Sequence, residues 1–142
     1  MAALASLGWQ VYSFFLAGGR GKVEIGDRIG LDDGRAVRLI GVSVRNLGRQ
    51  PISVTWVGLY MHAIDDHYPY FQWPGEETLP VTLEPGHSKS FVMKEPDVRS
   101  FLDQVRHRHP AKPRATLVSG EAGFGSGKTA RSKGTYELSL DD

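Results

Sequence analysis

The chain has 142 residues, of which 40% are hydrophobic, 23% are charged and none is cysteine. That length suits one domain able to bury about 70% of its unfolded surface, and the composition excludes an intrinsically disordered chain. The lack of cysteine removes disulfides, thiolate metal sites and cysteine nucleophiles, and a formal net charge of +1 excludes a globally cationic nucleic-acid binder.

Residues 1–19 differ in texture from the rest. Ala2 to Ala17 carries no charge, and Leu4, Leu7, Val11 and Phe14 recur at helical spacing before Gly18-Gly19. Sixteen helical residues rise only ~24 Å, short of a bilayer core of ~30 Å, and no basic residue precedes the run as in a signal peptide. The spacing predicts an N-terminal apolar arm that docks on protein. A segment lying on a membrane surface and a cleaved leader are the alternatives. From residue 20 onward the chain reads as one further unit, residues 20–142.

In that unit, short apolar runs alternate with turn signals. Lys22 to Ile29 alternates as a strand. Asp33-Gly34 is a hairpin signal, because both residues tolerate positive φ. Arg35 to Asn46 is the clearest strand, with Ile40, Val42 and Val44 on one face and Ser43 and Arg45 on the other. After a loop at Asn46 to Pro51, Ile52 to His62 is rich in β-branched and aromatic residues. It is apolar on both parities around Trp56 to Leu59, as in a strand covered on both faces or bent at Gly58.

Tyr68 to Trp73 reads as an aromatic loop or short edge strand, because Pro69 and Pro74 exclude a central position. Leu79 to Leu83 is a short strand, Glu84-Pro85-Gly86 a turn, and His87 to Lys94 the next strand. A helix starts at Pro96 and ends before Pro110. Its apolar stripe is Val98, Phe101, Leu102 and Val105. Pro113 to Gly120 and Thr135 to Leu140 are the last strands.

This spacing predicts a mainly β fold: an antiparallel immunoglobulin-like β-sandwich of seven to eight strands, with an N-terminal helix and one short internal helix. Val42, Val44, Asn46, Gly48, Pro51 and Val54, followed by Leu83, Pro85 and Gly86, form a V-x-V-x-N-x-G-x-x-P-x-x-V … L-x-P-G pattern. It resembles small immunoglobulin-like proteins of actinobacteria and their phages, some of which carry an apolar helix before the sandwich. The resemblance spans Val23 to Leu138. It implies a fold and carries no chemistry.

Ala122 to Thr129 spells A-x-x-x-x-G-K-T, one residue from a phosphate-binding loop. Such a loop needs a following helix to aim amides at phosphate. The remaining chain offers only Arg131-Ser132, Gly134 and a strand. The segment therefore reads as a hairpin tip, with a weak anion contact at Lys128, Arg131 and Lys133 as the alternative. From Arg106 to Lys133, seven Lys and Arg residues stand against Glu121 alone, which reads as a solvated basic edge, with a contact surface for phosphate or an acidic partner as the alternative.

His62, Asp65, Asp66 and His67 have ligand chemistry for a divalent metal, but acidic residues are also ordinary turn formers. No metal or cofactor is expected. Glu76-Glu77 reads as a solvated turn, and His107 and His109 as surface residues at a helix end. No serine sits in a nucleophile elbow, and no catalytic group is expected.

The functional expectation is a non-enzymatic binding or structural module, a subunit of a larger assembly such as a phage virion or an actinobacterial surface complex. Its partner would be a protein or sister subunit, and its place a virion or cell envelope rather than the free cytoplasm. The residues expected to meet it are Leu4, Leu7, Trp9, Val11, Tyr12, Phe14 and Phe15 of the arm and Tyr68, Tyr70, Phe71 and Trp73 of the aromatic loop, whose other reading is as cover for one end of the core. A peripheral membrane protein and a nucleotide binder are the alternatives.

Overall fold

In the computed structural model, residues 20–70, 78–111 and 113–140 are described. The expected N-terminal helix, and with it Leu4 to Phe15, lies outside them, as do Phe71, Trp73 and Glu76-Glu77. The described chain is mainly β, in antiparallel sheets with one helix.

The first sheet has the order β1-β2-β6, formed by β1 (Gly21–Asp32), β2 (Arg35–Asn46) and β6 (Ser88–Lys94). β1 and β2 form one long hairpin whose turn is Asp33-Gly34, with φ of 50° and 77°. Positive φ at both central residues gives the turn a twist that matches the flanking strands. The second sheet centres on β3 (Ile52–Met61) and β7 (Ala115–Phe124). One edge of β3 is shared by β5 (Val81–Leu83) and β4 (Asp66–Pro69). The far edge of β7 is shared by β9 (Tyr136–Ser139) and β8 (Thr129–Arg131).

The strands number nine among the described residues, not seven or eight. The uncounted strand is β8, a three-residue return that sequence periodicity is too short to register. Its hairpin answers the glycine-rich question. Phe124 N–H donates to Lys128 C=O and Gly127 N–H to Phe124 C=O, both at 2.9 Å. Gly127 has φ of 86°, a conformation that glycine alone adopts without penalty. A strand rather than a helix follows Lys128, so no helical amides face this turn.

Both sheets contribute to a single apolar core. Ile40, Val42 and Val44 of β2 and Phe91 and Met93 of β6 are buried with Val54, Val57, Leu59 and Met61 of β3 and Val118 and Ala122 of β7. Ser43 and Arg45 alternate away from that core, as period two requires. The helix, α1 (Glu95–Arg108), carries Pro96 in its first turn and buries Val98 and Leu102, with Phe101 and Val105 packed beside them. Glu95 and Asp97 lie at its positive end and Arg106, His107 and Arg108 at its negative end, matching the helix dipole. The Glu95 carboxylate is 4% exposed. It accepts from Arg99 of α1 and from the Tyr136 hydroxyl of β9, and pairs with Arg38 of β2 at 3.5 Å.

Asn46 ties the loops together. It is fully buried. Its Nδ2 donates to Gln50 C=O at 2.7 Å and to Leu83 C=O at 3.0 Å, and its Oδ1 accepts from Gly48 N–H at 2.8 Å. Its own backbone accepts from Gly86 N–H and donates to His87 C=O. Asn46→Ala strands these buried groups at a cost on the order of 3 kcal/mol, a large share of a typical domain's stability. Urea unfolding should show a lowered midpoint with an unchanged slope; a midpoint equal to wild type would contradict this reading of Asn46.

Candidate functional site

The outward face of the second sheet is built by an irregularity in β3. Pairing with β7 runs Val54↔Phe124 and then Trp56↔Gly123, so Thr55 is an extra residue in a β-bulge. Its Oγ1 donates to Gly123 C=O at 3.2 Å. Before the bulge, Ile52 and Val54 point into the core; after it, Val57, Leu59 and Met61 do. This parity switch explains the apolar run around Trp56 to Leu59. It also turns Trp56, Tyr60 and His62 outward together. Gly58 lies between Trp56 and Tyr60, and a Cβ there would stand 2.6 Å from the Trp56 ring and 2.7 Å from Tyr68 O. Glycine therefore lets the indole lie down across the sheet.

Neighbouring strands complete the patch. Tyr60 pairs with His67 of β4 on one side and with Ser119 of β7 on the other, and Glu121 of β7 pairs with Arg131 of β8. The Tyr60 ring is edge-on to His62 at 4.8 Å and tilted on His67 at 5.1 Å. Trp56 meets His67 at 6.0 Å. The Arg131 guanidinium carbon lies 3.9 Å from the Tyr60 centroid, a cation–π contact.

Glu121 organises the polar part. It is 8% exposed. One carboxylate oxygen accepts from Arg131 Nε and Nη2, at 2.7 and 2.6 Å, and the other from His67 Nδ1 at 2.8 Å. A carboxylate only accepts, so His67 holds a proton on Nδ1. Arg131 and Glu121 thus fix one imidazole on the surface. His62 Nε2 and Ser119 Oγ share a hydrogen bond of 2.7 Å. Ser119 is 2% exposed, so its hydroxyl is sealed beneath the imidazole.

The carboxylates of the His62 to His67 segment are turned to other work. Asp65 accepts the Tyr60 hydroxyl, and Asp66 accepts the His67 amide. Among the described residues, no group of three or more His, Asp or Glu converges as a metal site. Beside His62 a shallow depression of about 400 Å³ is lined by Ala63, Ala115, Thr116, Leu117 and Glu137.

The sequence-chosen residues fall elsewhere. Tyr68 is buried, with its ring edge-on to Phe101 of α1, and Tyr70 is half-buried against Phe91. Lys128 is exposed in the β7–β8 turn, Lys133 is exposed after β8, and Arg131 is engaged by Glu121. Arg131 and Lys133 line one groove, and Lys128 is not among its lining residues. The patch itself escaped sequence reading because Glu121, Ser119 and Arg131 lie more than fifty residues from Tyr60. Only the Gly58 interruption inside an aromatic strand hinted at it. Among the described residues, no helix is long and apolar enough to cross a membrane.

No family model matches the chain, and no curated protein matches it. Among solved structures, it is similar to a Bordetella pertussis protein bearing the provisional name ApaA. They share 12% identity over 86% of this chain and 94% of that one, with a TM-score of 0.44. A second similarity is to the structural-genomics target SoR45, at 12% identity over 84% and 85% of the two chains, with a TM-score of 0.41.

The Tyr60 phenol is held above the ordinary phenol range, first by its hydrogen bond to Asp65 and then by desolvation. The bond stabilises the protonated phenol, so its contribution is intact at neutral pH and is lost as pH rises through the raised folded-state value. Asp65→Asn should move the Tyr60 titration down toward that of a free phenol. Carbon NMR of labelled tyrosine resolves it from Tyr68 and Tyr136, and an unmoved Tyr60 curve would refute the assignment.

Proposed function

We propose that the chain is a non-enzymatic protein-binding module: an immunoglobulin-like β-sandwich that offers the outer face of its larger sheet to a protein partner. The observation that carries this reading is the contiguous Trp56, Tyr60, His62, His67 and Arg131 surface. Tryptophan, tyrosine and arginine are the side chains that most often anchor protein interfaces. Here they are pre-ordered, with Arg131 fixed by Glu121 and stacked on Tyr60, so little side-chain entropy is lost on binding.

The sandwich reading is supported by two antiparallel sheets that share one core. The non-enzymatic reading is supported by the pairing inside the patch. Ser119 is sealed, Tyr60 is bonded to Asp65, and the His67 imidazole is engaged by Glu121, itself held by Arg131. In this reading residues 1–19 form a second attachment, and the protein is a subunit of a larger assembly. A phage virion or an actinobacterial surface complex would suit the sequence resemblance.

Two measurements test it. Affinity capture from the native source should retain a partner on the wild-type chain. Trp56→Ala and Tyr60→Ala should each weaken retention by about thirtyfold, the ~2 kcal/mol of an interface anchor. Light scattering should show a larger mass for the full chain than for one lacking residues 1–19, with both folded by circular dichroism. Identical partner profiles and identical masses would remove the proposal.

A further inference from the structure

A second surface, which shares Arg131 with that patch, lies between the edges of the two sheets. A groove of about 780 Å³ runs along Arg20 to Ile25 on β1 and faces Ala130, Arg131, Lys133 and Gly134 at β8. β1 pairs with β2 alone among the described residues, so its other edge, which faces β8 across the groove, is hydrogen-bonded to no described strand.

The register says which backbone groups face the groove. Leu47 N–H donates to Arg20 C=O at 2.7 Å, which makes Arg20 a hydrogen-bonded position opposite β2. In an antiparallel ladder such positions alternate. The pairing from Gly21↔Asn46 onward is unbroken, so Gly21, Val23 and Ile25 turn their amides and carbonyls away from β2. All three line the groove.

Its side chains are of two kinds. Ile25 is half-buried, and Leu47, 54% exposed, gives an apolar wall. The rim carries Arg20, Lys22 and Lys133, all exposed, beside Arg131. Among the described residues, the one carboxylate lining it is Glu24, held at 3.2 Å by Lys22 in an exposed pair worth little. The Arg131 charge is offset by Glu121. An uncompensated positive rim remains above an apolar wall and a line of backbone donors and acceptors.

We propose that this groove binds an extended acidic peptide of a partner protein, which adds as a strand to β1. Main-chain bonds to Gly21, Val23 and Ile25 give the affinity, alternate apolar side chains meet Ile25 and Leu47, and carboxylates meet Arg20 and Lys133. Charge complementarity selects the occupant. Residues 1–19 contain no carboxylate side chain to meet this rim. The groove meets the Trp56–Tyr60 surface at Arg131, but its contacts at Arg20, Lys133 and the β1 backbone do not involve Trp56, so either reading can fail while the other holds.

The test is fluorescence anisotropy of the full chain with a labelled heptapeptide that alternates valine with acidic residues. Binding should weaken with added salt. The double variant Arg20→Glu/Lys133→Glu should weaken it at least tenfold, whereas Trp56→Ala should leave it unchanged. Both substituted positions are exposed, so a fold check by circular dichroism should match wild type. An N-methylated version of the peptide, which cannot complete the strand, should lose binding. No binding by the acidic peptide, equal binding of a lysine-substituted peptide, or equal binding of the N-methylated peptide overturns the proposal. Tighter binding of a DNA oligonucleotide or of anionic vesicles than of the peptide also overturns it.

Discussion

The fold depends on one buried amide. Asn46 closes β2, and its side chain holds carbonyls from two separate segments, Gln50 in the following loop and Leu83 at the end of β5. Its backbone holds the Gly86-His87 turn. A primary amide has two donors and one acceptor oxygen, so it can serve two carbonyls and one N–H at once. Alanine cannot do this, and aspartate would oppose carboxylate to carbonyl. The V-x-V-x-N-x-G-x-x-P and L-x-P-G pieces of sequence are thus two halves of one arrangement. Gly48 and Gly86 give the amides that Asn46 accepts, and Leu83 gives a carbonyl that it bonds. The chain leaves the first sheet and enters the second at this point, so the starting register of β3 rests on it.

From that fixed start, the Thr55 bulge decides what the second sheet shows to solvent. Without the extra residue, the alternation set by Ile52 and Val54 would continue and send Trp56 and Tyr60 into the core. A one-residue slip exchanges every side chain between faces. The bulge instead lets β3 bury Val57, Leu59 and Met61 while Trp56, Tyr60 and His62 stand outside. The Glu121 carboxylate then becomes affordable at low exposure because Arg131 and His67 meet both its oxygens. Removing one partner would leave a buried charge uncompensated, the costly half of such an arrangement. Local backbone irregularity and distant charge pairing therefore build one surface.

Much of the scaffold was legible in the residues. Arg35 to Asn46 alternates cleanly because one face is core and the other is wet, and the strand has those limits. The helix is marked by Pro96 and by the stripe from Val98 to Val105. Asp33-Gly34 and Pro85-Gly86 carry their own turn chemistry. The signal fades where tertiary contact outweighs pattern. Thr129 to Arg131 is too short to show a period and is a strand because β7 lies beside it. The aromatic patch is assembled by cross-strand neighbours from four strands, and no window of sequence holds it. Tyr68 and Tyr70 read either as cover for one end of the core or as a binding face, and both pack inward because β4 lies against β3 with α1 and β6 beneath.

The two ends of the β1 edge differ in charge. β1 is twelve residues long, and Lys22, Glu24, Asp27 and Arg28 lie along it. Charged side chains on an edge oppose indiscriminate strand pairing, because most partners would have to desolvate or repel them. The same charges do not oppose a strand whose own charges answer them. At the Arg20 end the balance is positive once Glu24 is set against Lys22 and Glu121 against Arg131. Near the hairpin tip the charges are balanced, with Asp27, Asp32 and Asp33 set against Arg28, Arg35 and Lys94, which bonds Asp32. An edge that is closed to its own copies by mixed charge can thus remain open, at one end only, to a complementary chain. This asymmetry along a single strand separates a selective edge from an aggregating one.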